Sequence, residues 1–231
     1  MSELAIGLVA EGITDFVIIE AALKACLKNP FVLTLLQPEE TRPEMQGGWG
    51  GVYKWCRAEA TMGFGSLEFD PTLSRFDLLI IHIDADVAED NYSDIGESPT
   101  DVLTLPCSKD CPPPEATVKV LRSVVLSWLG MAALGSKAIF CIPSKATEAW
   151  LAVAAASDRP IVMIKLECSL NMEARLASLP KGRKIKKTKR QYQGYATIFK
   201  NQWGRVVAMC TQAKCFQDDL ATHVPNSELN V

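Results

Sequence analysis

The 231-residue sequence lacks several features that would assign its class at once. No apolar run reaches the ~18 to 20 residues that a membrane-spanning helix requires. No basic region precedes the first apolar stretch, which ends at Glu11, so this stretch is predicted to be a first β-strand rather than a signal peptide. No internal repeat or clear linker divides the chain, and its length suits one α/β domain with a sizeable core or one domain with a small appendage. We therefore expect a cytoplasmic protein that makes no membrane contact.

Charge is informative in its distribution rather than in its total, because the formal net charge is only −3. The segment Lys181–Arg190 carries seven positive charges in ten residues and no acid, whereas the remainder of the chain is acidic. Such a contrast favours a segment that contacts a polyanion, with a solvated lysine-rich loop as the alternative. Lysines one to three positions apart cannot all face one groove from a regular helix, so we expect a loop or extended conformation near Lys186. The predicted nucleic-acid contacts are Lys186, Lys187, Lys189 and Arg190.

The eight cysteines do not form a recognisable metal-binding pattern. Four lie within apolar patterns and are predicted to be thiols of the core: Cys26, Cys56, Cys141 and Cys168. The other four form two pairs along the chain, Cys107 with Cys111 and Cys210 with Cys215. Neither pair has the C-x₂-C spacing usual for zinc, which leaves zinc as a minor alternative. A cytoplasmic location also argues against structural disulfides.

Short apolar runs alternate with helical patterns along the chain, and this predicts an α/β fold with a mostly parallel sheet between helices. Strands are predicted at residues 4–10, 31–36, 78–83 and 137–142, with a possible short strand at 161–166. Helices are predicted at residues 13–27, 50–62, 115–134, 147–156, 171–178 and 192–220. We assign residues 1–166 to the α/β domain and residues 167–231 to a basic, helical C-terminal extension packed on it.

Carboxylates follow two of the predicted strands directly. Glu11 comes after the first strand, and Asp84 and Asp86 come after the third. Ligands of open α/β sheets bind beyond the carboxyl ends of the strands, and residues two apart on an extended segment point the same way. Crowded carboxylates repel one another unless a cation joins them, and hard oxygen ligands with no nearby cysteine favour Mg²⁺ or Mn²⁺. The alternative is a set of solvated loop acids.

Other polar residues lie near the same predicted edge. Glu148 occupies the first turn of the helix after the fourth strand, where it either serves the metal site or complements the helix dipole. His82 shares a strand face with Asp84 and is interpreted as a core histidine or a partner of a ligand, not as a ligand itself. Glu89, Asp90 and Asp94 are interpreted as loop acids.

The order of these motifs resembles that of a Toprim domain, which has a Glu after its first strand and an Asp-x-Asp after its third. The matching segments are Glu11–Asp15, Asp84–Asp86, Pro143–Leu151 and Lys186–Tyr192, spread over roughly residues 3–200. The chain looks most like the small stand-alone Toprim-like proteins of prokaryotes, relatives of the nuclease domains of overcoming-lysogenization-defect nucleases. Those nucleases often carry a further acid shortly after Asp-x-Asp, for which Glu89 and Asp90 are only loose candidates here.

The resemblance implies a Toprim-like (Rossmann-like) fold and a Mg²⁺-dependent phosphodiesterase that acts on DNA or RNA, in phage defence. Asp84 and Asp86 would hold the metal, Glu11 would complete the site or act as general base, and Glu148 would join the catalytic set. Implied partners are nucleic acid and an ATPase or another defence-system protein. Two alternatives stay open: a non-catalytic Toprim-like module that binds nucleic acid or a partner, and an Asp-x-Asp enzyme that acts on a small phosphorylated substrate.

Overall fold

The computed structural model describes residues 3–39, 45–156 and 166–230. The sheet has four strands: β1 (Leu4–Val9), β2 (Phe31–Gln37), β3 (Leu78–His82) and β4 (Ala138–Cys141). Their order is β2-β1-β3-β4, and every neighbouring pair is parallel. The predicted α/β class with a mostly parallel sheet is therefore confirmed. Most of the possible strand at 161–166 lies outside the described residues, and Leu166–Cys168 forms a short 3₁₀ turn.

The described helices are α1 (Ile13–Cys26), α2 (Gly48–Met62), α3 (Glu115–Leu129), α4 (Glu148–Ala155), α5 (Met172–Ala177), α6 (Lys189–Asn201), α7 (Trp203–Met209) and α8 (Thr211–His223). Helix α3 ends five residues earlier than predicted, because Gly130 adopts a left-handed conformation with φ of 64° and caps it. The C-terminal stretch predicted as helical is broken at Gln202 and at Cys210, which leaves the helical conformation with ψ of 109°. None of the described helices is long and apolar enough to cross a membrane.

The two faces of the sheet bury two separate apolar clusters, because side chains alternate along each strand. On β3, Leu78 and Ile80 face the cluster formed with α1, α4 and the C-terminal helices. Leu79 and Ile81 face the other cluster, formed with α2 and α3. All five β3 residues are buried, as expected for a central strand of a parallel sheet covered on both faces.

The C-terminal helices contribute to the first of these two clusters. Helix α6 packs on α1, α7 packs on α4, and α8 packs on β4. Phe199 and Phe216 are buried in the same cluster as Ile6 of β1. The C-terminal third thus completes the core of the sheet, while the predicted boundary after residue 166 stays a prediction.

The cysteines depart from prediction at one point, since Cys111 and Cys168 are joined by a disulfide with their Cα atoms 5.5 Å apart. The assignment of Cys168 as a core thiol and the expectation of no disulfide are therefore wrong. This pairing also removes Cys111 from any zinc site. The two cysteines are 57 residues apart, and only the fold brings the loop before α3 beside the turn at Leu166–Cys168, so no local pattern reveals the bond. The remaining cysteines are free thiols, and Cys26, Cys56 and Cys141 are buried as predicted.

Candidate metal centre

The ends of β1 and β3 bring together two of the predicted carboxylates. The strands are neighbours, with Val9 opposite Ile81, so Glu11 and Asp84 lie at adjacent strand ends. Glu11 Oε1 accepts a hydrogen bond from the backbone N–H of Asp84 at 2.7 Å. One potential ligand atom each from Glu11, His82 and Asp84 lies within 4.8 Å of the others. This spacing permits all three side chains to contact a single cation.

His82 is the member of this cluster that the sequence did not mark as a ligand. The ring is fully buried, and its Nδ1–H donates to the carbonyl of Cys141 at 2.9 Å. Its Nε2 is buried and has no hydrogen-bond partner, lying 3.6 Å from Asp84 and 3.7 Å from Asp15. Metal-binding histidines commonly donate their other ring nitrogen to a backbone carbonyl in this way. The orphaned Nε2 therefore fits a cation held between it and the carboxylates.

The electrostatics of the cluster indicate that it retains protons when no cation is bound. Burial raises the pKa of Glu11 to about 8, and the charge of Asp15 adds to this effect. Burial and the charge of Asp15 also raise the pKa of Asp84 well above its ordinary value. Burial alone would lower the pKa of His82, but its contacts with Asp15 and with the carbonyl of Cys141 raise it well above the usual range. A divalent cation would take the place of these protons.

Asp15 is a further acid at this site that was missed as a site residue. It lies in the first turn of α1, is 2% exposed, and accepts a hydrogen bond from Thr147 Oγ1 at 2.8 Å. Burial alone would raise its pKa, but the neighbouring imidazole of His82, whose Nε2 is 3.7 Å away, lowers it. The backbone N–H of Thr147 also donates to Asp84 at 3.2 Å. The sequence signal that could have identified Asp15 is its position four residues after Glu11, about one helical turn along the chain and within the first turn of α1.

Asp86 lies outside the group of three ligand atoms and lines the neighbouring cleft instead. The chain turns into a 3₁₀ segment at Ala85–Glu89 directly after Asp84, so the extended geometry assumed for Asp84-x-Asp86 does not apply. The backbone N–H of Asp86 donates to the carbonyl of Lys145 at 3.1 Å. Burial raises the pKa of Asp86 to about 6, with further contributions from the charges of Asp90 and Glu148. Its side chain therefore titrates near neutrality.

Glu148 is held by two partners from the C-terminal part of the chain. It is 1% exposed, accepts a hydrogen bond from the Tyr192 hydroxyl at 2.7 Å, and pairs with Lys187 Nζ at 3.1 Å. Lys187 also lies 3.7 Å from Glu173. Burial alone would lower the pKa of Lys187, but the charge of Glu148 raises it, so the ammonium stays charged. Glu148 thus holds the Lys187 ammonium group at the site.

A cleft with a volume of about 230 Å³ opens beside the metal cluster. One part of its lining, the Asp86 wall, carries Asp84, Asp86 and Lys145, and a second part, the wall at 169–174, is formed by residues 169–174. Lys187 lines the cleft as well. Lys145 is 6% exposed and forms an ion pair with Glu89, so this loop acid is a partner of Lys145. The cleft therefore combines carboxylates next to the metal cluster with two ammonium groups.

The basic segment divides into one buried anchor, one residue in the site and an exposed remainder. Ile185 is 2% exposed, and its backbone N–H donates to the carbonyl of Leu176 at 3.0 Å. Residues 184–187 have no regular secondary structure, as expected near Lys186. Of the four predicted nucleic-acid contacts, only Lys187 lines the cleft, while Lys186, Lys189 and Arg190 are exposed on the adjoining surface.

Comparison with known proteins provides no relative, because no family model, curated protein or solved structure matches the chain. The resemblance to Toprim domains therefore depends on the motifs alone, and the chemistry of the site follows from its own residues.

Proposed function

We propose that the protein is a divalent-metal-dependent phosphodiesterase that cleaves DNA or RNA. The observation that carries this proposal is the convergence of Glu11, His82 and Asp84 within 4.8 Å beside a cleft that also holds the charged Lys187. Phosphodiester cleavage needs charge stabilisation at the phosphoryl group, and a metal with adjacent ammonium groups is a recurrent way to supply it.

The donor set supports a first-row divalent cation or Mg²⁺. Glu11, His82 and Asp84 would hold it, and Asp15 lies nearby, 3.7 Å from His82 Nε2. Carboxylates suit Mg²⁺ and Mn²⁺, while an imidazole ligand favours Mn²⁺ of the two. A cation bound there supplies Lewis acidity toward a phosphoryl oxygen and lowers the pKa of a water ligand.

The residues of the cleft supply the remaining roles. Lys187, held by Glu148, which itself accepts a hydrogen bond from Tyr192, is positioned to contact a phosphoryl oxygen, and Lys145 provides a second ammonium group in the cleft. Asp86 has a pKa of about 6 and is mostly a carboxylate at neutral pH. It can therefore accept the proton of an attacking water as general base. Glu148 acts through Lys187 as a positioning residue.

A polymeric substrate is supported by the exposed basic surface that continues from the cleft. Lysines and arginines on it would contact phosphates in succession and read no base sequence. The resemblance to Toprim nucleases supports the same reaction. A role in phage defence, with an ATPase or another defence protein as partner, is the biological setting that this resemblance suggests.

A small phosphoester is the second candidate substrate, because the cleft of about 230 Å³ is smaller than the ~300 to 1,000 Å³ of typical ligand pockets. A cleft of this size accommodates one phosphoryl group with a small substituent. The basic surface outside the cleft favours the polymer over this candidate.

The test is a cleavage assay with labelled single- and double-stranded DNA and RNA, and with bis(p-nitrophenyl) phosphate, in Mn²⁺, Mg²⁺ or EDTA. We expect metal-dependent cleavage of a polymer that Asp84→Asn abolishes. The control is Asp94→Asn, which alters an exposed capping turn away from the cluster and should cut at the wild-type rate. Wild-type cleavage by Asp84→Asn would refute the site. Cleavage of the small ester alone would favour the second candidate, and Mn²⁺ binding without turnover would favour a binding module.

A further inference from the structure

The disulfide joins the loop before α3 to the turn that leads into one wall of the cleft. Cys168 ends the turn Leu166–Cys168, and the residues that follow directly, 169–174, form one wall. Cys111 belongs to the loop that precedes α3. The covalent bond therefore ties one cleft wall to that loop.

The loop of Cys111 is in turn fastened to the other wall. The backbone N–H groups of Cys107 and Ser108 both donate to the carbonyl of Ala88, at 2.8 and 3.0 Å. Ala88 lies in the 3₁₀ segment that begins directly after Asp84 and contains Asp86. A short chain path therefore runs from the Asp86 wall through residues 107–111 and across the disulfide to the wall at 169–174.

Among residues 169–174, only Met172 is buried. Helix α5 is only six residues long, with Met172 and Leu176 as its buried residues, and Leu170 is 46% exposed. Helix α5, which begins within this wall, also positions Lys187. The carbonyl of Leu176 in α5 accepts a hydrogen bond from the backbone N–H of Ile185, which lies two residues before Lys187. Movement of this wall would therefore change the cleft width and the position of the ammonium group.

We propose that Cys111–Cys168 is a thiol–disulfide exchange site that fixes the cleft wall when oxidised and releases it when reduced. Both cysteines are partly exposed, so a small dithiol can reach the bond. A thiolate of the dithiol attacks one sulfur, and the other cysteine leaves as a thiolate that takes up a proton. The second thiol of the dithiol then closes its own disulfide and frees the first cysteine. Two electrons and two protons pass from the dithiol to the protein.

Release of the wall at residues 169–174 should lower the affinity of the cleft for a polyanion and leave the affinity for the metal unchanged. Glu11, His82 and Asp84 lie at the ends of β1 and β3, which the disulfide does not touch. The effect on a polyanion rests on the proposed function, whereas the movement of the wall does not.

The direct test is hydrogen exchange of the full chain, followed by mass spectrometry, before and after treatment with dithiothreitol. Amides in residues 169–178 should exchange at least about tenfold faster after reduction, whereas those of β1 and β3 should not change. The dissociation constant for Mn²⁺ should stay the same. The dissociation constant for a labelled oligonucleotide should rise by about threefold or more, because a preorganised contact is lost.

Cysteine variants separate this bond from general effects of the reductant. Cys111→Ser and Cys168→Ser should show the fast exchange without dithiothreitol and should not respond to it. Cys107→Ser, which removes a free and partly exposed thiol from the same loop, should respond like the wild type. If a serine variant fails to fold, the reduced wild type still provides the comparison.

Two results would overturn the inference. Iodoacetamide labelling of Cys111 and Cys168 in air-oxidised protein would show that the bond does not form. Equal exchange of residues 169–178 in both redox states would show that the bond does not hold the wall. Absence of oligonucleotide binding in both states would count against the proposed function, and the exchange data would still decide the role of the disulfide.

Discussion

Replacing Glu11 with Gln should stabilise the protein when no metal is bound and remove its stabilisation by metal. Gln keeps a side-chain oxygen that can accept the 2.7 Å hydrogen bond from the Asp84 backbone but carries no charge. The variant therefore isolates the electrostatic role of Glu11 from its structural role. Opposite effects in the two conditions are the signature of a metal ligand in a crowded site.

The magnitude follows from the pKa of Glu11, which burial raises from 4.5 to about 8. The folded protein binds this proton more tightly than the unfolded chain does, so wild-type stability falls as the pH rises from about 4.5 to about 8. The loss in free energy of unfolding that Glu11 causes is absent near pH 4, reaches about 3 kcal/mol at pH 7 and approaches about 5 kcal/mol above pH 8. Glu11→Gln removes it, which corresponds to a melting temperature about 6 °C higher at pH 7.

The assay is urea unfolding at pH 5, 7 and 8.5, in EDTA and in Mn²⁺. In EDTA the free energy of unfolding of the variant should exceed that of the wild type, by an amount that grows with pH. Mn²⁺ at 100 times its dissociation constant should stabilise the wild type by about 2.7 kcal/mol and the variant by much less.

A surface carboxylate provides the matched control. Glu20 pairs with Lys24 across one turn of α1, and Glu20→Gln should change stability by less than about 0.5 kcal/mol and leave the effect of Mn²⁺ unchanged. Equal stability of Glu11→Gln and wild type at pH 8.5 in EDTA would refute the crowding argument. Equal stabilisation of both by Mn²⁺ would refute Glu11 as a ligand.

Four further predictions concern the basic surface, the site and two glycines within helices. Replacing Lys186 and Lys189 with Ala should flatten the log–log salt dependence of oligonucleotide binding by about two units, and an unchanged slope would show a merely solvated surface. Tyr192→Phe should lower the free energy of urea unfolding by about 1 to 2 kcal/mol, because a buried carboxylate loses a donor, and a neutral effect would contradict that contact. Gly51→Ala should destabilise by about 1 to 3 kcal/mol, since its Cβ would lie 2.5 Å from a backbone carbonyl. Gly194→Ala, in open space within α6, should instead stabilise by about 0.5 to 1 kcal/mol, and both are measured by urea unfolding.

Local patterns were sufficient to predict the strands and the meeting of Glu11 with Asp84. Aliphatic runs bounded by turn residues placed all four described strands to within about two residues, because burial on both faces leaves a continuous apolar signal. The convergence of the two carboxylates then follows from parallel strands that end at one edge.

The rest of the site depends on contacts between distant segments. His82 reads as an ordinary strand residue until the carbonyl of Cys141, 59 residues away, occupies one of its nitrogens. Asp86 was misplaced because the turn after Asp84 is 3₁₀ rather than extended, and nothing in Asp-Ala-Asp distinguishes the two. The pairing of Glu148 with Lys187 likewise joins two elements whose approach only the folded core determines.

The link between Glu148 and Lys187 also bears on when the protein becomes competent during its synthesis. Glu11, His82 and Asp84 all leave the ribosome about a hundred residues before Lys187 does. A nascent chain that already holds the metal ligands therefore still lacks Lys187, the ammonium group that Glu148 positions to contact a phosphate. On the proposed function, an enzyme able to cut nucleic acid would stay inert beside the messenger RNA that encodes it until its C-terminal third has emerged.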